Sequence, residues 1–382
     1  MVSEVNSSPS GPEIETLPHY EAPVSSPEVL EEDNSSGGQS DVTAAITAPY
    51  SNSSATLPMP WKIHELAMLF AMCMRNLPRL KKLPTVFHSF DEYDQLLKTY
   101  SNVELEKAKV LEIGFGQRAA RMIALASLGI DAFGVDLDAP LLKGTPKEIY
   151  QIYRKNGLER LLKSLIRFVS FDLMWRRNLR RELRRRGRKL LLPTNRLLVQ
   201  DAATVDLPKC SFDLVISESV FEHIPVSSLV ALIAKMKYLL KPTGLALIRP
   251  DIFTGISGGH LVEWFRIDAR KQRKNPNGHL DKRLDLGERL RRSEPWEHLR
   301  KKRFRANVYL NELMRTDYRR LFSEHFEILE ERVTKPDLGR EYLSPEVAEE
   351  LKGYGDDELF SNGVLFVLRP KTVTGGRRRG RQ

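Results

Sequence analysis

The sequence predicts an α/β fold built on a doubly wound, mostly parallel sheet, and three observations carry that expectation. Between Lys109 and Pro250 short apolar runs alternate with helical stretches, as in parallel strands joined by crossover helices. The first run leads into a glycine-rich turn and then a helix, KVLEIGFGQRAARMIALASLG. Carboxylates stand just past the second and third runs, at the strand ends where open α/β sheets bind ligands.

The runs are KVLEI (109–113), DAFGV (131–135), RLLVQ (196–200), FDLVIS (212–217) and LALIR (245–249). FEILEERV (326–333) and GVLFVL (363–368) follow after a long helical and basic interval. Five strands and two late ones predict a seven-stranded sheet closed by a hairpin, with an antiparallel C-terminal strand. About sixty residues separate Asp136 from Arg196, where a crossover needs only a dozen or more. A helical insertion after strand two, at about 140–195, is therefore expected. Its apolar residues at 158, 161, 162, 165, 168 and 169 form a helical stripe. Residues 154–189 carry fourteen Lys or Arg against three acids. Such a segment suits a cap over the site, a peripheral contact with an anionic membrane surface, or an RNA backbone.

Residues 1–58 are rich in Ser, Pro, Glu and Asn without apolar periodicity, the composition of a disordered acidic segment. WKIHELAMLFAMCMRNL, from Trp61, opens a helical cap expected over 59–106 of a domain spanning 59–370. A substrate lid is expected at about 251–325 and a basic tail at 371–382.

Of 382 residues 41% are hydrophobic, yet no apolar run approaches the ~18 residues of a membrane span. A cationic region followed by an apolar one is missing from the first residues, so a cytoplasmic location is expected. Cys73 and Cys210 are far apart, which argues against a disulfide framework or a structural zinc. Residues 1–60 hold nine acids and neither Lys nor Arg, so the net charge of +10 hides a strongly basic body. That body suits phosphorylated or nucleotide-linked partners, or stands as ordinary solvated surface.

Gly114 and Gly116 let the backbone pass close to a ligand, and the helix beyond them offers unpaired N–H donors. With Ala119 the run even satisfies a relaxed dinucleotide pattern, Asp136 lying about twenty residues beyond. Glu112 argues the other way: a carboxylate just before the glycines attracts an ammonium and repels a pyrophosphate. Asp201 can accept from an adenine amino group, and SFDLVISESVFEHIP is a buried strand ending in polar residues at the sheet's carboxyl edge.

In these residues, over about 100–250, the chain resembles class I S-adenosylmethionine-dependent methyltransferases. The resemblance implies S-adenosyl-L-methionine as cofactor and a Rossmann-like sheet. It also implies that Glu112, Gly114 and Gly116 hold the amino-acid part, that Asp136 holds the ribose hydroxyls, and that Asp201 and Ala202 flank the adenine. Ser217 to Glu222 would line the wall below the sulfonium, and Asp213 would have a local structural task.

A hydroxyl acceptor needs a base near the ends of strands four and five, and His223 and His260 qualify. His260 is the first choice, on the expectation that Gly255, Gly258 and Gly259 make its loop mobile. Some ubiquinone-biosynthesis O-methyltransferases hold a metal with E-x-x-E-H. Here Glu222 and His223 match but Ser219 replaces the first glutamate, so no metal is expected, although Asp251 could substitute. The segment after strand five resembles lids of bacterial methyltransferases acting on sugars, polysaccharide ends or polar metabolites. Trp264 and Trp296 could stack on a ring or pack in a core. Arg249, Arg266 and Arg270 could pair with phosphate or face solvent.

The expectation is O-methyl transfer to a sugar, glycan terminus or similar polar metabolite. Alternatives are an RNA or protein acceptor, for which no aromatic stacking or (D/N)PP(Y/F) motif follows strand four, and a noncatalytic binding module, against which the intact acids and glycines argue.

Overall fold

Val110 to Ile113 are buried and apolar except for Glu112, so this run can only be a strand covered on both faces. It is β1 (Lys109–Ile113), near the centre of a seven-stranded sheet in a computed structural model that describes residues 86–261, 264, 293–303 and 309–372. The order is β3-β2-β1-β4-β5-β7-β6, with β2 (Asp131–Asp136), β3 (Leu197–Val199), β4 (Phe212–Glu218), β5 (Leu240–Arg249), β6 (Phe326–Val333) and β7 (Val364–Pro370). β1 to β5 pair in parallel, whereas β7 runs antiparallel between β5 and β6. The expected sheet is thus observed, its order reversing beside β1 and β4. β6 lies at the edge, half-exposed and rich in glutamate, which blunts it against pairing with other chains.

Helices cover both faces. On one side α1 (Val86–Ser101), α2 (Ala120–Leu128) and α4 (Leu173–Arg185) bury Tyr93, Leu97, Met122, Leu179 and Leu183 against the sheet. On the other, α5 (Val226–Leu239) packs with a later helix, α7 (Arg315–His325), around Phe322 and Phe366. The insertion after β2 consists of α3 (Pro146–Arg167), a π-helical turn (Phe168–Asp172) and α4. Thr145 and Glu148 form a capping box at the start of α3, and Gly157, at φ 81°, breaks its regularity midway.

The described residues after β5 form a second core with Trp264 and Trp296 at 1% and 0% exposure. Trp296, which precedes α6 (Glu297–Lys301), donates from Nε1 to the Thr254 carbonyl at 3.0 Å. Both tryptophans are core residues rather than stacking platforms. The acidic segment 1–58, the helical run from Trp61, Cys73, Arg266, Arg270 and residues 373–382 lie outside the described residues. Among the described residues no helix is long and apolar enough to cross a membrane.

Candidate active site

The carboxyl ends of β1, β2 and β4 bring the predicted cofactor residues to one edge. Glu112 lies beside Gly134 of β2 and Ile216 of β4. Gly114 and Gly116 follow at φ 78° and 64°, left-handed backbone in which a side chain is strained. A Cβ on Gly116 would meet nothing within 4 Å, so the loop opens onto free space there. One on Gly114 would collide with Val220, which follows β4.

Glu112 is 1% exposed, and its Oε1 accepts from Arg121 Nε at 2.8 Å. Burial raises its pKa, opposed by the Arg121 charge. Arg121 also donates to Glu218 Oε2 at 2.5 Å, and Glu218 accepts from the Tyr93 hydroxyl at 2.5 Å and Arg249 Nη1 at 3.2 Å. Burial works against the Glu218 carboxylate, but Arg121 and Arg249 hold it below the usual range. Arg249 continues to Glu92 at 2.8 Å. It is therefore committed to this network rather than available to a phosphate.

Sequence reasoning missed this network, although one signal was present. Arg121 sits in the first turn of α2, where the helix dipole disfavours a cation, so a nearby carboxylate was required. What the network leaves unsatisfied is also informative. Glu112 Oε2 and Ser217 Oγ are buried without a hydrogen-bond partner, at the ends of adjacent strands. An ammonium and a neighbouring polar group would satisfy them, so the residues fit the amino-acid part of the cofactor.

Asp136 ends β2 and accepts from Gly116 N at 2.6 Å and from Asp138 N at 2.8 Å. Burial raises its pKa and these two N–H groups oppose the rise. A carboxylate has further lone pairs for two hydroxyls. Asp201 is exposed and closes a local turn, accepting from Ala203 N at 2.9 Å, with Ala202 packed beside the core. Asp213 has the local task expected: it accepts from Lys109 N and from Lys241 Nζ.

The insertion closes on this edge from outside the sheet. Asp172, fully buried, pairs with Arg118 at 2.6 Å and Arg167 at 3.1 Å. Ser164 and Arg167 donate to Gln117 Oε1 at 2.8 and 2.7 Å, and Arg176 binds the carbonyls of Leu141 and Leu142. The insertion thus contacts the glycine loop itself, to which Gln117 and Arg118 belong.

Beyond β4 and β5, the His223 and His260 rings meet edge to face, their centroids 4.9 Å apart. His223 Nδ1 lies 2.9 Å from the Tyr309 carbonyl. A carbonyl can only accept, so Nδ1 carries the proton and Nε2 presents a lone pair. Both Glu222 carboxylate oxygens are buried without a hydrogen bond. Burial, followed by the nearby Asp251 charge, pushes the Glu222 pKa well up. Glu222, His223 and His260 each place a possible ligand atom within 4.8 Å of the others, a set that could hold a metal ion.

The expected mobility of the His260 loop is corrected. Residues 252–256 and 258–261 are buried, and a Cβ on Gly258 would lie 2.0 Å from the Phe253 carbonyl oxygen, one on Gly259 2.4 Å from His298 Cβ. These glycines allow tight packing. His260 itself is 6% exposed, at φ 54°.

Residues 111–248 match the family described as a methyltransferase domain. Similar solved structures include an S-adenosylmethionine-dependent methyltransferase from Methanosarcina mazei, 14% identical over 70% of this chain and 94% of that one, TM-score 0.35. Another is geranyl diphosphate C-methyltransferase from Streptomyces coelicolor A3(2), 12% identical over 74% and 76%, TM-score 0.35. A third is phosphoethanolamine N-methyltransferase 2 from Haemonchus contortus, 16% identical over 74% and 53%, TM-score 0.34. A search of curated proteins gave no match.

Proposed function

We propose that this chain, an S-adenosyl-L-methionine-dependent methyltransferase with a class I sheet, methylates a hydroxyl of a sugar, glycan terminus or similar polar metabolite. The observation that supports a hydroxyl acceptor is His223, whose Nδ1–H is tied to the Tyr309 carbonyl, leaving Nε2 without a hydrogen bond among the described residues and 3.8 Å from Glu222 Oε1. A hydroxyl starts protonated, and Nε2 can take its proton as the oxygen–methyl bond forms.

Bound at this edge, the cofactor supplies an electrophilic methyl group on a sulfonium. Glu112 and Ser217 would hold its ammonium end, Gly114 and Gly116 its approach, Asp136 its ribose, and Asp201 with Ala202 its adenine. In-line displacement needs little covalent help, so positioning of the acceptor can lower the barrier by about 7–11 kcal/mol. Packing of the His260 ring against His223 fixes the orientation of the base. The sequence preference between the histidines thereby changes: His223 is the base, and buried His260 positions it.

Glu222, with both oxygens buried and unmatched, favours one second reading. In it Glu222, His223 and His260 hold a divalent cation that orients the acceptor oxygen, and Ser219 is no obstacle because His260 replaces the missing ligand.

Incubation with methyl-labelled S-adenosylmethionine and fractionated cell extract tests the main reading. Label in soluble or lipid-linked glycan, or in a small polar metabolite, is expected; label in RNA or protein overturns it. His223→Ala should lower kcat with cofactor affinity unchanged. Turnover abolished by a chelator and restored by a divalent cation would select the second reading.

A further inference from the structure

The insertion has an outward face that its contact with the glycine loop does not use. Large hydrophobic side chains exposed to solvent concentrate between residues 137 and 173: Leu158, Leu162, Ile166, Val169 and Leu173 are 49–68% exposed. Their spacing of four, four, three and four residues sets them in one row. It starts just past the Gly157 irregularity and crosses the π-helical turn into α4. The opposite side of the same helices is the one that grips the glycine loop through Ser164 and Asp172.

From Leu173 the exposed row continues with the same helical spacing but changes chemistry. Arg177, Arg180, Arg181 and Arg184 line one open hollow. Among the described residues none of the four has a carboxylate partner, whereas their neighbours Arg185 and Arg186 pair with Glu182. One face is thus apolar along α3 and cationic along α4.

We propose that this face docks on an anionic lipid surface, the apolar row entering the headgroup boundary and the four arginines meeting lipid phosphates. The chemistry selects this occupant over others. A nucleic-acid backbone would satisfy the arginines but leave five large apolar side chains without a partner. A second copy of the face would cover the apolar row but bring arginines together with no acid to receive them, since Glu182 is buried and already paired. A basic face with aliphatic residues beside it matches an interface carrying negative headgroups.

The consequence is geometric. Because the inner side of the helices holds Gln117 and Arg118, docking would keep the cofactor loop about one helix diameter, ~10 Å, from the lipid. Acceptors presented at the membrane surface would then lie within reach. The docking itself is independent of which group is methylated, so it can fail without affecting the methyl-transfer reading.

Co-sedimentation of the full chain with vesicles tests it. Binding to phosphatidylcholine mixed with phosphatidylglycerol, weakening as salt rises, is expected, with little binding to phosphatidylcholine alone. Arg180→Ala and Arg181→Ala should each weaken binding roughly fivefold, and Leu162→Glu with Ile166→Glu should release the protein. Unchanged circular dichroism and cofactor affinity would show these variants folded, and the exposed arginine variants retain the test if the glutamate pair does not fold. The proposal is overturned by full chain left in the supernatant with anionic vesicles, or by equal binding to neutral ones. Self-association that the glutamate pair disrupts, in a chain that ignores vesicles, would also overturn it.

Discussion

The two halves of the site are built by different physics. At the ends of β1, β2 and β4 the structure is held by charge: Glu112, Arg121, Glu218 and Arg249 alternate in sign within bonding distance, and the glycines there have positive φ. Past β5 the structure is held by packing: two tryptophans and a buried histidine fill the space, and Gly258 and Gly259 admit neighbouring atoms closer than any Cβ allows. The proposed cofactor edge therefore presents fixed carboxylates, whereas the region past β5, proposed here as the acceptor side, is shaped by apolar contacts.

The most direct test of this contrast is Glu112→Ala. It removes one of the two carboxylates on Arg121, which keeps Glu218, so the loss is that of a charge-assisted hydrogen bond, about 1.5–3 kcal/mol. Chemical denaturation should show that loss, and a loss under about 1 kcal/mol would mean that charge does not hold this edge.

The packed half has its own pH signature in His298, which is 1% exposed and pushed by burial down to about 4, its Nε2 beside the Phe253 carbonyl. The unfolded chain takes up a proton near pH 6.5 that the native state refuses until about pH 4. The associated stability is complete above about pH 6.5 and is lost as pH falls towards 4, about 3 kcal/mol over the window. His298→Gln should flatten that limb of a plot of Tm against pH; an unchanged slope would remove His298 as its source.

Next comes Asp136→Ala, which deletes a charged acceptor worth about 1.5–3 kcal/mol. Calorimetry should show S-adenosylmethionine bound ten- to a hundredfold more weakly. Unchanged affinity would take the ribose role from this residue. The smallest effects come from paired glycine variants. Gly258→Ala should cost about 1–3 kcal/mol through overpacking while leaving cofactor affinity in place. Gly116→Ala should cost about 1–2 kcal/mol through its positive φ, and its methyl group, entering open space, should weaken cofactor binding as well. Equal binding losses in both would erase the distinction between the halves.

Several residues show where sequence reasoning reached its limit. Seven strands and their order of appearance followed from apolar runs, because burial on both faces leaves a local signature. The local task of Asp213 came from the family resemblance rather than from the run in which it stands. Arg249 was read as a free cation because its partners Glu218 and Glu92 are thirty-one and 157 residues away. Gly255, Gly258 and Gly259 suggested mobility, since composition does not say whether a glycine is surrounded by water or by a histidine ring.

By itself the sequence determined the α/β layering, the carboxylate-and-glycine edge and the existence of a basic helical insertion, all properties of periodicity and of residues close in the chain. Only the tertiary structure decided that Arg121 binds Glu112, that the insertion turns Ser164 and Asp172 inward and Leu158, Leu162 and Leu173 outward, and that His260 meets His223. Those are choices among partners distant in the chain, made by packing against the sheet, and a linear pattern carries no record of them.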